Sequence, residues 1–394
     1  MGEPILLLSP FFHPEPISTG KYNSFLAKEL VQKGHRVDVI CFHPLYPRWC
    51  PSRSDEGLSG VRIFRGGAWI RYPKASLLRR AVLEAGFVLH LLRHTSRIKG
   101  CSHIVTVLPP MLYLPLILMV AGPKTRITAI VHDLQGIMAG VGMSAGHCKV
   151  VGIIRLLERL VLGCCHRIIA LSHAMEAFLL DAYQIPSSKI EVCWPFVTVE
   201  HHGSGSRLGH LFDKDKKHVV YAGALGEKQN PEGLICLFLD LVERRSDVAC
   251  HIFSGGPIFQ AYQQNRKVDH PRLVFHDLVP ENDLFELYHR SDIQVIPQKI
   301  GFSEGAVPSK LPNLMAAGVP ILYIGQKSSD IRHIIQGADA GLCADNWDRD
   351  TLIRLTERLL LESAGRSHEE RRQTFEKKFK ALFNVDALVK ILLR

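Results

Sequence analysis

The chain has 394 residues, enough for two or three domains. Its composition, 46% hydrophobic and 22% charged, excludes a disordered chain and is typical of a folded soluble protein. The formal net charge of +10 favours an anionic partner such as nucleic acid, an anionic membrane surface or a nucleotide. No basic segment is interleaved with aromatic residues in the manner of single-strand or RNA binders, so we expect no nucleic-acid partner.

Cysteine usage predicts a reducing compartment. The ten cysteines form no CxxC motif and no Cys/His spacing typical of zinc sites. We therefore expect free thiols, a cytoplasmic location and no metal. The N-terminal stretch has no charged n-region and too short an apolar run for a signal peptide.

The first half alternates Val- and Ile-rich runs with amphipathic helical segments. This pattern predicts a parallel sheet with helices on both faces, because strands covered on both sides are apolar nearly throughout. The predicted strands are residues 5–9, 36–42, 61–65, 103–108, 126–131, 167–171 and 189–194.

Residues 104–122 carry no charge over a length that could span a bilayer. Pro109, Pro110 and Pro115 would interrupt such a helix. We therefore predict a buried strand, a Pro-Pro turn and a short buried helix in place of a membrane span.

A polar, glycine-bearing stretch at residues 198–217 is typical of a linker. After it the alternation restarts, with predicted strands at 218–222, 249–253, 272–275, 293–297 and 319–324. The sequence thus predicts two doubly wound parallel-sheet domains, residues 1–200 and 216–375, with residues 376–394 crossing back to the first. Two such domains facing each other form a central cleft at the carboxyl ends of both sheets.

Three loops of the first half are candidates for ligand contacts. Gly20 follows the first strand and permits close backbone approach, or else belongs to a plain proline-rich connection. Tyr46 and Trp49 in HPLYPRW can stack on a sugar, or pack against their own domain. His132 and Asp133 in VHDLQG end a strand and would face the cleft, unless they are satisfied structural residues.

Residues 65–99 contain eight basic residues and one acid, Glu84. Because the segment is also strongly apolar on one side, it suits an anionic membrane surface. The alternative is a core helix with a solvated basic face.

In the second half, glycine-containing loops follow several predicted strands. The small residues of YAGALGEKQN let the backbone approach phosphates, and Lys228 adds charge. The glycine turn SGG and the segment FHDLVPENDL follow the next two strands. In GFSEGAVPSKLPNLMAAGVP, Pro308 suits a first helical turn, where Ser309, Lys310 and free amides can hold a phosphate. The alternative for Lys310 is a solvated first-turn lysine.

These motifs together resemble the retaining family 4 glycosyltransferases with the GT-B fold, two Rossmann-like domains. The similarity is to bacterial enzymes of cell-surface polysaccharide assembly, such as colanic-acid and O-antigen fucosyl- and N-acetylfucosaminyl-transferases. The matching segments are SPFFHPEPISTGKYNSFLAKEL, GHRVDVICFHPLYPRW, VHDLQG, RIIALSHAM, YAGALGEKQN, FSGGP, SDIQVIPQ and PSKLPNLMAAGVP, in order along nearly the whole chain.

The resemblance implies an N-terminal acceptor domain and a C-terminal nucleotide-sugar domain. It implies that His132 lies near the reacting centre and that Lys228 and Lys310 hold the donor diphosphate. From their loop positions we assign Tyr46, Trp49 and Asp133 to the acceptor. The donor-binding residues that the resemblance implies are Gly20, Gly223, Lys228, Gly255, His276, Leu278, Val279, Glu304, Gly305, Ser309, Lys310, Leu311 and Asn313.

Three positions depart from the commoner family pattern. Many relatives carry two glutamates eight positions apart, which would fall on Gly305 and Asn313. Glu304 is one position out of register, and Asn313 would accept the donor ribose hydroxyls more weakly. Many relatives also have Arg where this chain has Ala224.

The implied activity is retaining transfer of a sugar from a UDP- or GDP-sugar to a lipid-linked saccharide, at the inner face of the cell membrane. It needs no cofactor, and we expect no essential metal because no DxD-like motif stands out. Two alternatives stay open: another GT-B enzyme, a nucleotide-sugar epimerase or a phosphorylase, and a catalytically silent binding protein at the membrane.

Overall fold

The computed structural model describes residues 4–46, 48–134, 148–199, 207–265, 268–301 and 307–394. The chain divides into two compact units. Unit 1 comprises Met1–Pro195 with Asn384–Arg394, and unit 2 comprises Phe196–Phe383. Each unit is built on one parallel sheet, so the predicted fold class of two doubly wound parallel sheets is confirmed.

Unit 1 contains a seven-stranded sheet in the order β3-β2-β1-β4-β5-β6-β7. Every strand pair in it is parallel. The central strands are buried along their whole length, as expected for a sheet covered on both faces. The strands are β1 Ile5–Leu8, β2 Val37–Phe42, β3 Val61–Gly66, β4 His103–Leu108, β5 Arg126–Val131, β6 Arg167–Ala170 and β7 Ile190–Val192.

Six helices lie between these strands in the described part of unit 1. The crossovers that follow β3, β4 and β5 all advance toward β7, and right-handed crossovers in one direction place their helices on one face of the sheet. The helices are α1 Ser18–Gln32, α2 Ser76–Leu92, α3 Thr95–Lys99, α4 Leu114–Val120, α5 Cys148–Gly163 and α6 His173–Asp181.

The uncharged 104–122 stretch forms the fully buried strand β4 and the short helix α4, with Pro115 in its first turn. The predicted strand, turn and helix are therefore present, although α4 is only half buried and Met119 is 83% exposed. Among the residues that the structure describes, no helix is both long enough and apolar enough to cross a membrane.

Unit 2 contains a six-stranded parallel sheet in the order β10-β9-β8-β11-β12-β13. Five of its strands were predicted. The sixth, β13, was missed because its sequence, GLCA, has neither the length nor the β-branched residues of a strand signal. The strands are β8 Lys217–Ala222, β9 Val248–Phe253, β10 Leu273–His276, β11 Ile293–Pro297, β12 Ile321–Ile324 and β13 Gly341–Ala344.

The helices of unit 2 connect its strands, and the polypeptide then returns to unit 1. The final helix packs against α1, where Lys33 pairs with Asp386 at 2.7 Å. The helices are α7 Pro231–Arg244, α8 Pro257–Gln263, α9 Leu284–His289, α10 Lys310–Ala317, α11 Asp330–Gly337, α12 Arg349–Ala364, α13 His368–Lys378 and, in unit 1, α14 Val385–Leu392.

Candidate functional site

The strand order of unit 2 reverses between β8 and β11. From β8 the chain runs outward through β9 and β10, and β11 then lies on the other side of β8. Ligands of doubly wound sheets bind at the carboxyl ends of the strands at this point. The loop after β8 contains Gly223 and Lys228, and helix α10 starts shortly after β11. The main donor-site candidates therefore lie around this switch point.

Lys310 bridges the two strands of the switch point. Its Nζ donates a hydrogen bond to the carbonyl oxygen of Val295 at 2.9 Å and a longer one to that of Ala222 at 3.4 Å. The amino group also lies 4.3 Å from the ring centroid of Tyr221. Burial lowers the pKa of Lys310 to about 7. The interpretation of Lys310 as a solvated first-turn lysine is therefore wrong.

The loops after β8 and β11 are tied together through the backbone of Lys228. Its carbonyl oxygen accepts a hydrogen bond from the Lys299 amide at 2.7 Å. Lys228 lies in the single turn Glu227–Gln229, which leads into the Asn230 cap of α7. Gly223, directly after β8, has a φ of 141°, a conformation that side chains disfavour. The glycine is thus required by the backbone path at this edge.

The carboxyl ends of β9 and β10 bring a second set of predicted residues together. The Ser254 amide donates to the His276 carbonyl at 3.0 Å. A Cβ on Gly255 would lie 3.7 Å from the Leu278 side chain. Leu278 is exposed, and His276 and Val279 are half-buried. Gly255, His276 and Leu278 therefore form one cluster at this edge.

Most residues of α10 after Lys310 are buried. The Leu311 side chain is fully buried and its amide donates to the Pro308 carbonyl at 3.0 Å. Asn313 is also buried, and its Oδ1 accepts from the amides of Thr198 at 2.8 Å and Val199 at 3.2 Å. In this structure the Asn313 side chain holds the start of unit 2 and offers no free oxygen to a ribose.

The remaining predicted donor residues are Ser309, Glu304 and Gly305. Ser309 is half-buried directly before α10, where the first amides of a helix attract anions. Glu304 and Gly305 lie outside the described residues.

In unit 1, His132 and Asp133 lie at the carboxyl end of β5, as predicted. The His132 amide donates to the Leu108 carbonyl at 2.9 Å, and its ring is 6.0 Å from that of Tyr22. Burial lowers the pKa of His132 to about 4, against the opposing effect of Asp133. The imidazole is therefore neutral at physiological pH.

Gly20 packs against its own loop. A Cβ at this position would lie 3.0 Å from both Cβ and the carbonyl oxygen of Glu15. The space beside Gly20, where we expected a ligand to approach, is thus filled by the loop between β1 and α1.

Glu15 is a buried acid next to the candidate acceptor loop that the sequence analysis did not single out. It is 3% exposed, and its carboxylate accepts hydrogen bonds from the amides of Leu45 at 2.8 Å and Tyr46 at 2.7 Å. Burial raises the pKa of Glu15 to about 7, although both hydrogen bonds oppose the shift. The sequence carried one weak signal for it, a lone acid between the prolines of HPEP. Glu15 therefore fixes the loop that bears Tyr46.

Trp49 packs within unit 1. Its ring meets Tyr72 edge-on at 5.6 Å, and the Arg79 guanidinium lies 4.5 Å over it. This agrees with the alternative that the HPLYPRW loop packs against its own domain, and Tyr46 stays partly accessible.

The described residues contain no group of three His, Cys, Asp or Glu side chains arranged to hold a metal ion.

Comparison with known proteins accounts for both halves of the chain. Residues 20–201 match the family model described as Glycosyltransferase Family 4, and residues 206–380 match Glycosyl transferases group 1. A curated relative from Escherichia coli strain K12 is assigned to colanic acid biosynthesis as the glycosyl transferase WcaI. It is 24% identical over 340 residues, which cover 80% of this chain and 81% of that protein.

Solved structures of low sequence identity share the fold. A sucrose-phosphate synthase from Thermosynechococcus elongatus has a TM-score of 0.76 at 16% identity, covering 99% of this chain and 97% of its own. WaaG, a glycosyltransferase involved in lipopolysaccharide biosynthesis, has a TM-score of 0.72 at 14% identity, covering 98% and 99%. TarM of S. aureus, solved with UDP among its ligands, has a TM-score of 0.71 at 9% identity, covering 100% of both chains.

The two family models together cover nearly the whole chain, and its two parallel sheets are those of the GT-B fold. The chain belongs to glycosyltransferase family 4 and is a glycosyltransferase.

Proposed function

We propose that this enzyme transfers a sugar, with retention, from a UDP- or GDP-sugar to a lipid-linked saccharide in cell-surface polysaccharide synthesis. Family 4 enzymes use nucleotide-sugar donors. The observation that carries the proposal is the half-buried Lys310, whose amino group is held between the ends of β8 and β11 at the start of α10. An amine at this point of a doubly wound sheet suits the diphosphate of such a donor.

The donor diphosphate leaves with its negative charge increased. Lys310, Lys228 and the first amides of α10 are proposed to stabilise that charge. Preorganised donors in a partly dry site lower the barrier because they need no reorganisation during the reaction. Gly223 and Ser309 let the backbone approach the phosphates. Gly255, His276, Leu278 and Val279 would receive the nucleobase.

Retention is proposed to occur without an enzyme nucleophile. The leaving phosphate deprotonates the acceptor hydroxyl on the face from which it departs, so the new bond keeps the donor's configuration. His132 would lie near the reacting sugar. Because its imidazole is neutral, it can donate one hydrogen bond to a sugar hydroxyl without adding a charge. Tyr46, Trp49 and Asp133 are the proposed acceptor residues.

A lipid-linked acceptor requires contact with a membrane, and residues 65–99 are proposed to provide it. Leu78, Leu89 and Leu92 of α2 are exposed. The only acid of the segment, Glu84, is buried and accepts hydrogen bonds from the amides of Met111 and Leu112. The outer surface of α2 therefore presents apolar and basic side chains, which suit anionic lipid.

Helix α5 has a similar exposed surface, and right-handed crossovers place it on the same face of the sheet. Ile153, Leu156, Leu157 and Leu160 are exposed at helical spacing beside the exposed Arg155 and Arg159. The only acid of α5, Glu158, is buried and accepts from the Tyr183 hydroxyl. We define the exposed apolar residues of α2 and α5 as the apolar face.

The experiment that tests the activity has two steps. Thermal unfolding with UDP, GDP and their sugars identifies the donor, because a ligand that binds only the folded state raises the unfolding temperature. The product's anomeric configuration is then read by NMR. A flat response to every nucleotide would count against the donor site, and an inverted linkage would overturn retention.

A binding-only protein is the second candidate, and one observation favours it. Asn313 stands where many relatives carry a glutamate, and its side chain is bonded to residues 198–199. Nucleotide binding without turnover over a broad panel of donors and acceptors would support this candidate, and any transfer product would remove it.

A further inference from the structure

Three histidines form a continuous hydrogen-bonded chain across one face of the unit 2 sheet. His218 lies on β8, His251 on β9 and His276 on β10. His218 Nδ1 is 2.9 Å from His251 Nε2, and His251 Nδ1 is 3.0 Å from His276 Nε2. At the inner end, His218 Nε2 is 2.7 Å from the Asp213 carbonyl oxygen. We call this set the histidine chain.

The strand register explains why the histidine chain runs toward the ligand edge. His251 lies opposite Val220, two residues beyond His218, and His276 lies opposite Phe253, two residues beyond His251. Each step therefore crosses one strand and advances two residues toward the carboxyl ends. The histidine chain starts at the beginning of β8 and ends at the last residue of β10.

The Asp213 carbonyl determines the direction of every hydrogen bond in the chain. A carbonyl oxygen only accepts, so His218 must donate from Nε2. In a neutral imidazole the other nitrogen is an acceptor, so His218 Nδ1 receives the Nε2–H of His251. The same argument makes His251 Nδ1 the acceptor for His276 Nε2–H. Nδ1 of His276 is then left as an unprotonated acceptor.

The surroundings of His251 and His276 favour neutral imidazoles. His218 and His251 are buried. Phe212 packs on both rings, and Phe253 stacks on His276 with ring centroids 4.3 Å apart. Burial lowers the pKa of His251 to about 3 and that of His276 to about 4.

The outer end of the chain is available to a ligand. His276 is half-buried beside Gly255 and Leu278, at the edge where the nucleobase is proposed to bind. In the part of the chain that the structure describes, Nδ1 of His276 has no hydrogen-bond partner, whereas Nε2 is bonded to His251.

We propose that Nδ1 of His276 is a hydrogen-bond acceptor whose character is set by the Asp213 carbonyl through His218 and His251, and that it selects nucleobases with a ring N–H. Uracil and guanine present such a donor, at N3 and N1. Cytosine and adenine present a lone pair at the corresponding ring nitrogen, and two acceptors repel. His276 contacts the base, and His218 and His251 are positioning residues. The base selection rests on the proposed function of this edge as the donor site.

The first test needs no ligand. The protein is labelled with 15N-histidine and perdeuterated, and the ring nitrogens are recorded by long-range 1H–15N correlation, with assignment by single-histidine variants. We expect all three residues to be neutral Nε2–H tautomers. A His276 ring protonated at Nδ1 overturns the inference, whatever the enzyme's activity.

The second test measures base discrimination by calorimetry with UDP, GDP, CDP and ADP. Wild type should bind UDP or GDP at least about tenfold more tightly than CDP and ADP, because a buried acceptor without a donor is costly. His276→Gln offers both a donor and an acceptor, so the ratio should fall toward one while binding persists. His251→Phe preserves a ring but breaks the chain, and should reduce the ratio likewise. The control is His333→Gln, an exposed residue of α11 that is not part of the histidine chain.

The outcomes separate the two proposals. If wild type binds none of the four nucleotides, the proposed donor site is wrong. The NMR measurement of the tautomers still tests the hydrogen-bond directions in the histidine chain. If wild type binds all four equally, or if His276→Gln keeps the wild-type ratio, base selection by His276 fails while the donor site stands. Circular dichroism confirms folding of each variant, and His276→Gln alone suffices if His251→Phe does not fold.

Discussion

Lys310 shows how one side chain can couple nucleotide binding to pH. In the free protein its amino group is bonded to two carbonyl oxygens and burial lowers its pKa to about 7. A bound diphosphate would favour the charged form and raise that pKa. Binding must then be accompanied by proton uptake wherever the free amine is neutral.

This coupling gives a prediction with a definite sign. Nucleoside diphosphate affinity should be greatest below about pH 7 and fall above it by up to about tenfold per pH unit, since the neutral amine must first be protonated. Calorimetry in buffers of different ionisation enthalpy should detect the uptake. Lys310→Met should bind weakly at all pH values and lose the slope. Lys327→Met, an exposed lysine after β12, is the matched control. A Lys310→Met protein with the wild-type pH profile would contradict the diphosphate role.

Glu15 makes the stability of the fold depend on pH. Its pKa in the folded protein, about 7, lies above the ordinary value of 4.5. Between these values the folded chain holds a proton that the unfolded chain has lost, so the free energy of unfolding falls as pH rises through this window. Glu15→Gln removes the titration. The variant's stability relative to wild type should therefore rise by about 3 kcal/mol from below pH 4.5 to above pH 7.

Denaturant unfolding of the wild type and Glu15→Gln across this pH range measures the effect. Glu227→Gln changes an exposed carboxyl and is the control. A stability difference between wild type and Glu15→Gln that does not change with pH would show that the Glu15 carboxyl titrates normally.

At the scale of elements, the packing at the end of α10 explains why glycine occupies position 318, directly after this helix. Gly318 has a φ of 71°. A Cβ there would lie 2.0 Å from the His368 carbonyl oxygen, on the first residue of α13. Both the left-handed conformation and the packing of α10 on α13 therefore require glycine.

These two requirements can be separated by substitution. Gly34→Ala, at a left-handed glycine with nothing within 4 Å, should cost only about 1 kcal/mol of unfolding free energy. Gly318→Ala should cost roughly 3 kcal/mol or more, because backbone must also move. Thermal or denaturant unfolding provides the comparison. Equal losses would show that α13 is not held against Gly318.

The apolar face of α2 and α5 gives a prediction for membrane binding. Leu89→Ser/Leu92→Ser in α2 and Leu156→Ser/Leu160→Ser in α5 should each weaken binding to vesicles containing anionic lipid by about tenfold, because apolar area is no longer buried. Binding should also fall with added salt.

Vesicle co-sedimentation measures this binding. Leu361→Ser, an exposed leucine of α12 in unit 2, is the matched control. All these substitutions are at exposed positions, so stability should change by no more than about 0.5 kcal/mol. Wild-type protein that stays unbound, or double variants that sediment like wild type, would reject the apolar face as a membrane contact.

At the scale of the whole molecule, the order of elements was predictable while their pairing was not. Twelve predicted strands are present, since each is a continuous Val- or Ile-rich run between helical patterns. The thirteenth strand, β13, gave too short a signal. Its neighbour β12 completes its hydrogen bonding, a contact that no local pattern reveals.

Individual site residues show the same limit. The family pattern drew attention to Asn313 but gave no sign of its partners, the amides of residues 198–199. Glu15 bonds to amides 30 residues away, and the histidine chain depends on the register of three strands. No spacing in the sequence encodes such contacts.

The sequence by itself determined two alternating α/β halves, a family of enzymes and the loops where ligands are expected, because periodicity and motifs are local properties. Tertiary structure alone decided which side chains those loops can offer. The Lys310 amine meets two backbone carbonyls because α10 starts near the ends of β8 and β11, and Asn313 became a support because its oxygen meets backbone amides. Burial and hydrogen-bond partners arise from neighbours distant in the chain, and they determine the charge and availability of each group.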